Sequence, residues 1–164
     1  MTRLGLLLSV AVAGAFAAGG ASASVPVPTV GCDQSVFDAS PKPPSDLRVV
    51  FNRIAVVAEN YRPQPVRSRP LGFWVKAPIF VRASSGPVTL EVPRGWRARE
   101  AITYGDSGIV RALRIGRCPG GSTAWFGYAG GFYLTRPACV PLMVGVGGRS
   151  RLVRFGIGRS CTPG

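Results

Sequence analysis

Short runs of apolar residues, separated by proline and glycine, follow one another along most of the chain. Several alternate apolar and polar positions, as a strand with one buried face requires: Val88 and Leu90 fall on one face and Thr89 on the other. Turn residues bound each run. We therefore predict nine strands, over residues 47–58, 73–82, 88–92, 101–104, 109–115, 123–128, 132–136, 140–146 and 151–157.

The last two segments show the clearest alternation. Residues 140–146 carry valine or leucine at every second position, and Val153, Phe155 and Ile157 continue the pattern in the final segment. Gly147 and Gly148 stand between the two segments, and glycine accepts the backbone conformation of a tight hairpin turn. The pattern predicts a β-hairpin here, and a second glycine-turned hairpin over residues 125–133.

No stretch keeps a helical period over three turns, and 15 prolines and 22 glycines would interrupt a long helix. Many short strands in a chain of this length are typical of two packed antiparallel sheets. We predict an all-β sandwich, immunoglobulin-like or a related Greek key, with a small closed β-barrel as the alternative. The sandwich domain should span residues 47–164, with an exposed crossover loop at 60–70. The proline-rich residues 24–46 are predicted to be an extended N-terminal arm.

The first 23 residues have the features of an export signal. Arg3 precedes an apolar run over residues 4–18, and Ala21, Ser22 and Ala23 form a small-x-small cleavage site. We predict a protein that is secreted, either extracellular or in the cell envelope. Retention of the leader as an anchor is the open alternative. After residue 23 no apolar run approaches the roughly 20 residues of a membrane-spanning helix, so none is expected in the mature chain.

All four cysteines follow the leader. An even number of thiols in an oxidising compartment predicts two disulfides. Three pairings are possible, and we prefer Cys118 with Cys139, around the predicted aromatic hairpin, and Cys32 with Cys161, joining the two ends. No metal site is expected, because the chain has no C-x-x-C spacing and no histidine.

The chain has a formal net charge of +13, which falls to +12 when Arg3 leaves with the leader. Such a field attracts anionic polymers of the cell envelope, whereas nucleic acid is not the expected partner. The alternative is compositional, because arginine supplies nearly all the positive charge and a GC-rich coding bias favours arginine. The positive charge alone therefore does not establish an anionic partner, which stays a hypothesis.

Two motifs resemble catalytic sites, but each lacks a feature that catalysis would require. Gly105, Asp106, Ser107 and Gly108 match the sequence around the nucleophile of chymotrypsin-like proteases, but the chain lacks the histidine that would take the serine proton. The motif is instead a common turn. Glu91 and Glu100 flank an arginine-rich loop, where neighbouring cations should lower a carboxyl pKa although a general acid needs it raised. We predict no catalytic residue and no cofactor, and therefore not an enzyme.

The best binding candidate is the predicted loop after residue 93. Arg94, Trp96, Arg97 and Arg99 combine three cations with one indole, a composition suited to ring stacking and to phosphate or carboxylate contacts. The competing interpretation has Trp96 closing the end of the sandwich while the arginines are solvated.

A second candidate is the aromatic run 125–133. Its five aromatic residues cannot all face one core, so Trp125, Tyr128 and Tyr133 are candidates for an exposed surface that stacks on sugars or contacts a protein. Coverage by the N-terminal arm is the alternative, since Phe37 must also pack somewhere.

The C-terminal residues resemble the ending of small secreted proteins of unknown function from GC-rich actinobacteria. The resemblance lies in the strand hairpin and in the placement of Cys139 and Cys161 around it. It implies no activity. The function expected from the sequence is a secreted, non-catalytic β domain that binds an anionic surface polymer through arginine-rich loops. The alternative is a secreted protein-binding module, an inhibitor or carrier, that uses the aromatic hairpin.

Overall fold

The computed structural model describes residues 26–40, 42–57, 65–121 and 123–161. The predicted leader, residues 1–23, and residues 60–64 of the predicted crossover loop lie outside the described residues. The strands in chain order are β1 (Thr29–Val30), β2 (Phe37–Ser40), β3 (Leu47–Val50), β4 (Ile54–Val57), β5 (Val66–Ser68), β6 (Gly72–Lys76), β7 (Ile79–Arg82), β8 (Val88–Glu91), β9 (Glu100–Tyr104), β10 (Ala112–Ile115), β11 (Trp125–Tyr128), β12 (Gly130–Leu134), β13 (Ala138–Val146) and β14 (Arg149–Ile157).

The strands form three sheets. Sheet A has the order β1-β10-β8-β13-β14, sheet B the order β2-β11-β7-β4-β3, and sheet C the order β5-β6-β12-β9. Strands β1 and β10 are parallel, and the other pairs are antiparallel. None of the three closes on itself over the described ranges. The all-β sandwich is confirmed over the alternative of a closed barrel, while the immunoglobulin-like arrangement stays a prediction.

Helical structure in the described part is limited to 3-10 turns at Cys32–Gln34 and Arg94–Trp96. The described residues thus include no helix with the length and apolar character needed to cross a bilayer.

One apolar core lies between the inner faces of the sheets. The rings of Phe132 in sheet C and Phe155 in sheet A are 5.3 Å apart, which shows that these two sheets pack on each other. Tyr104 and Tyr128 add two more fully buried rings. Alternate residues of β8 and β10 point into this core, as the period of two predicts.

Two neighbouring strands pass from sheet B to sheet C at a shared corner. β7 pairs with β11, β6 pairs with β12, and the register is unbroken, with Tyr128 opposite Ile79 and Gly131 opposite Lys76. The predicted strand 73–82 is therefore two strands in different sheets, divided near Pro78, which has no N–H for the ladder. The predicted hairpin over residues 125–133 is wrong, because this segment bends without folding back.

The predicted strand 47–58 is a hairpin of β3 and β4, with residue 58 outside the described residues. Phe51 and Asn52 both have φ of 54°, and the Arg53 amide donates to the Val50 carbonyl over 3.1 Å. Two positive φ values match the twist of a tight hairpin. The predicted hairpin at the C-terminus is confirmed: β13 and β14 pair along nine residues each.

The N-terminal segment is part of the sheets. β1 lies at the edge of sheet A and β2 at the edge of sheet B. The ring of Phe37 in β2 lies 5.4 Å from that of Phe80 on the outer face of sheet B. Part of the predicted crossover loop also forms a strand, β5, at the edge of sheet C.

Two disulfides form, as predicted, but the preferred pairing is wrong. The bonds join Cys32 with Cys118 and Cys139 with Cys161. Cys32 and Cys118 follow the parallel neighbours β1 and β10, so both cysteines leave sheet A at the same end. Cys139 in β13 lies opposite Gly156 in β14, and the chain after β14 folds back over this position.

The two disulfides should differ in their effect on stability. They are separated by 86 and 22 residues in sequence. Loop-closure entropy predicts that removing the disulfide of the longer loop lowers the free energy of unfolding by about 4.5 kcal/mol. Removing that of the shorter loop should lower it by about 3.5 kcal/mol. The Cys32→Ser/Cys118→Ser variant should therefore unfold at lower urea concentration than Cys139→Ser/Cys161→Ser. The reverse order would contradict the assigned connectivity or its entropic basis.

Candidate functional site

The turn between β8 and β9 fixes an arginine against a tryptophan. The Arg94–Trp96 3-10 turn follows Pro93, and the Arg99 amide donates to the Trp96 carbonyl over 2.8 Å. This bond returns the Arg99 guanidinium over the Trp96 ring, with its central carbon 4.3 Å from the ring centroid. An Arg99 Nη2 also donates to the Gly95 carbonyl over 3.2 Å. Two predicted binding residues thus form one fixed, half-buried pair.

A cleft of about 270 Å³ opens beside this pair. Its other walls come from the connection between β12 and β13 and from the chain just after β14. The lining residues are Trp96, Arg99, Leu134, Thr135, Arg136, Pro137, Ala138, Cys139, Arg159 and Ser160. Three of them are arginines and none is acidic, so the cleft is strongly cationic.

Arg136 and Arg159 are the exposed cations of the cleft. Within the described ranges, neither side chain has a hydrogen bond or an ion pair. Neither is among the binding residues predicted from the sequence, because both lie far from residues 94–99. The usable signal was their proximity in sequence to Cys139 and Cys161, whose pairing brings the two segments together.

The walls of the cleft are held in place by covalent and backbone contacts. The Cys139–Cys161 disulfide joins β13 to the segment after β14. A Cβ at Gly156 would overlap the Arg159 carbonyl oxygen, so only glycine lets this segment fold back so closely. The Thr135 amide donates to the Arg99 carbonyl over 3.0 Å and ties the second wall to the first.

The other two arginines of the predicted loop do not line the cleft. Arg97 Nη2 lies 2.7 Å from Glu91 Oε1, an exposed ion pair that neutralises its charge. Arg94 is exposed on the turn. The predicted set of four residues is therefore divided: Trp96 and Arg99 form the cleft, and Arg94 and Arg97 lie outside it.

Glu100 is a buried carboxyl next to the cleft. It follows Arg99 and lies opposite Leu134, yet its own side chain has no exposed surface. Neither carboxyl oxygen has a hydrogen-bond partner in the described part of the chain. Burial raises the pKa of Glu100 to about 8, although Arg111 and Arg99 act to lower it. The expectation of a lowered pKa here is wrong, because the cost of removing the charge from water exceeds the attraction of the two cations.

The state of Glu100 has two consequences for the site. The carboxyl is mostly neutral at pH 7, so it does not cancel the positive charge of the neighbouring cleft. It is also closed to substrate in this conformation, while Glu91 is engaged by Arg97. The two carboxylates accordingly do not form an open acid-base pair, and the absence of enzymatic activity stays a prediction.

Two of the three candidate aromatic residues are buried. Trp125 is 3% exposed and packs with Ala55 and Phe80, with the Arg82 guanidinium carbon 5.6 Å from its ring. Tyr128 has no exposed surface; its hydroxyl lies 3.1 Å from Cys118 Sγ, and burial raises its pKa to about 12. The prediction that these two rings lie on an exposed surface is wrong.

Tyr133 is half-buried and lies directly opposite Trp74, which is also half-buried. Trp74 is not among the aromatic residues predicted to bind. The local sequence around Trp74 does not reveal that Tyr133 is its cross-strand partner. The register between β6 and β12, which pairs the two residues, is set by the corner and not by local sequence. The aromatic surface is thus a pair on sheet C and not a hairpin.

The chain matches no protein-family model, and no curated protein or solved structure matches it significantly. The comparisons therefore supply no ligand and no residue role. The resemblance of the C-terminal region to small secreted proteins stays a prediction.

The stability of the protein should depend on pH through Glu100. Between its ordinary pKa of 4.5 and its folded pKa of about 8, the folded chain holds a proton that the unfolded chain has lost. The free energy of unfolding should fall over that range by up to about 1.4 kcal/mol per pH unit and become level above it. Urea midpoints measured from pH 5 to pH 9 test this.

Glu100→Gln should remove the decline, because the amide does not titrate. Glu91→Gln is the matched control and should keep it, since that carboxylate is exposed and paired with Arg97. A wild-type protein whose stability is level from pH 5 to pH 8 would contradict the burial of a titrating carboxyl.

Proposed function

We propose that this protein is an exported, non-catalytic module that binds an anionic polymer of the cell envelope, with its basic cleft as the principal site. The observation that carries the proposal is the convergence of Arg99, Arg136 and Arg159 beside Trp96. Two of these guanidinium groups have no hydrogen bond or ion pair within the described ranges. Guanidinium groups with free donors bind phosphate or carboxylate well.

The size of the cleft supports a polymer as ligand. Small-molecule sites commonly have volumes of about 300–1,000 Å³, and this cleft lies just below that range. It suits one anionic unit of such a polymer. The net charge of +12 after loss of the leader would attract the remainder of a long anion and accelerate its association.

Export is part of the proposal and rests on two features. The apolar leader is a feature of the sequence, and the two disulfides are of the kind that persist in oxidising compartments. The alternative function, a protein-binding module with an aromatic hairpin, loses support because Trp125 and Tyr128 are buried.

Charge reversal in the cleft tests the proposal. Long-chain polyphosphate and polygalacturonate are suitable probes, since they present phosphate and carboxylate. Arg136→Glu/Arg159→Glu should weaken binding by at least about tenfold. Affinity for a polyanion falls as salt concentration rises, and the steepness of log affinity against log salt concentration reflects how many polymer charges the protein neutralises. The variant should make this slope shallower by about one to two, because two arginines no longer neutralise polymer charges.

The control is Arg69→Glu/Arg117→Glu, which makes the same change in net charge at exposed positions outside the cleft. It should change affinity much less than the cleft variant. Equal losses in the two variants would mean that binding depends on overall charge, and the cleft would lose its assigned role. Binding that does not respond to salt would contradict the electrostatic basis altogether.

A further inference from the structure

The three sheets differ in how long their free edges are. Over the described ranges, the edge strands β1, β2, β3, β5 and β9 contain two to five residues each, whereas β14 contains nine. Among the described strands, β14 pairs with β13 alone. Five of the first six residues of β14 are exposed, and no described strand covers its outer edge. A long exposed edge is a template on which another strand can pair.

The register defines which backbone groups point outward. Val146 and Arg149 flank the two-residue Gly147–Gly148 turn, so they form a hydrogen-bonded pair, and such pairs alternate along an antiparallel ladder. The N–H and C=O groups of Ser150, Leu152 and Arg154 therefore point away from β13. Pro141 lies opposite Arg154, and its lack of an N–H agrees with this assignment.

Three of the five exposed side chains of β14 are arginines. Arg151 and Arg154 make no hydrogen bond or ion pair with any described residue, and Arg149 lies over the Phe51 ring at 4.7 Å. β14 contains no acidic residue. A second copy of the chain pairing antiparallel along this edge would bring arginines into proximity, and like charges in cross-strand positions are unfavourable.

We propose that the outer edge of β14 binds an extended acidic segment of another protein as an added strand. Backbone hydrogen bonds at Ser150, Leu152 and Arg154 would provide pairing, as in other cases of strand addition. Carboxylates of the segment would pair with Arg151 and Arg154, and Leu152, 36% exposed, would contact an apolar residue between them. This site is separate from the cleft, and it does not depend on the function proposed above.

The spacing of the two arginines defines a probe. A blocked seven-residue peptide of threonine and valine, with glutamate at its second and fifth positions, places two carboxylates three residues apart. Hydrogen exchange of backbone amides is measured by NMR on the folded, disulfide-bonded chain with and without this peptide. A matched peptide carries lysine at the same two positions.

We expect a pattern of alternating protection. The amides of Ser150, Leu152 and Arg154 should exchange more slowly with the glutamate peptide, whereas those of Arg151 and Val153, already bonded to β13, should change little. Arg151→Glu/Arg154→Glu should weaken binding by at least about tenfold, equivalent to about 1.4 kcal/mol. Leu152→Pro, which removes one outward N–H and no ladder bond, should weaken it as well. Arg69→Glu/Arg117→Glu should have little effect.

Several results would overturn the proposal. The proposal fails if the lysine peptide binds as well as the glutamate peptide, or if protection is uniform along β14 instead of alternating. It also fails if the glutamate peptide does not bind at concentrations up to about 1 mM, the limit of weak affinity. If Arg136→Glu/Arg159→Glu abolishes binding and Arg151→Glu/Arg154→Glu does not, the peptide occupies the cleft. That result would support the cleft as an anion site and exclude the edge.

Discussion

The shared bend of two neighbouring strands is the constraint on which the rest of the structure depends. At the corner between sheets B and C, the Ala77 amide donates to the Gly130 carbonyl over 2.9 Å, and the buried Tyr104 hydroxyl donates to the Ala77 carbonyl over 3.0 Å. A Cβ at Gly130 would overlap the Thr103 carbonyl oxygen. Because the corner sets where β12 begins and its register on β6, it also sets where Leu134 and the connection to β13 lie, and hence one wall of the cleft.

The alternation of apolar and polar residues and the positions of turn residues predict those hairpins whose strands are adjacent in sequence and whose turn has a typical composition. The β13–β14 hairpin combines clear alternation with two turn glycines, and it forms as expected. The β3–β4 turn was missed because an apolar residue, Phe51, adopts a positive φ that apolar residues rarely adopt, and only Asn52 signalled it. The predicted hairpin over residues 125–133 is instead a bend, and glycine is common in both because it serves a tight turn and a close approach of backbones. Sequence alone does not distinguish these two uses.

Long-range placement explains the remaining differences. The cysteine pairing follows strand order, because β1 lies beside β10 although more than 80 residues separate them, and spacing in the sequence does not reveal that adjacency. The same holds for the cleft. Trp96 and Arg99 form a local cluster and were predicted, whereas Arg136 and Arg159 became neighbours through the Cys139–Cys161 bond. Arg97 is predicted to bind a ligand but instead pairs with Glu91, because the ion pair depends on a turn conformation that the sequence does not reveal.

The few acidic residues decide where the positive charge of this chain acts. Glu91 neutralises Arg97, and Glu100 is held largely protonated by burial, so neither opposes the arginines of the cleft. Anion binding at the cleft should in turn favour the neutral form of Glu100, since Arg99, which attracts the ionised carboxylate, would be occupied by the ligand. A bias in composition accounts for how many arginines the chain has. Which of them stay unpaired is decided by the fold, and the fold leaves two such groups at one disulfide-fixed cleft.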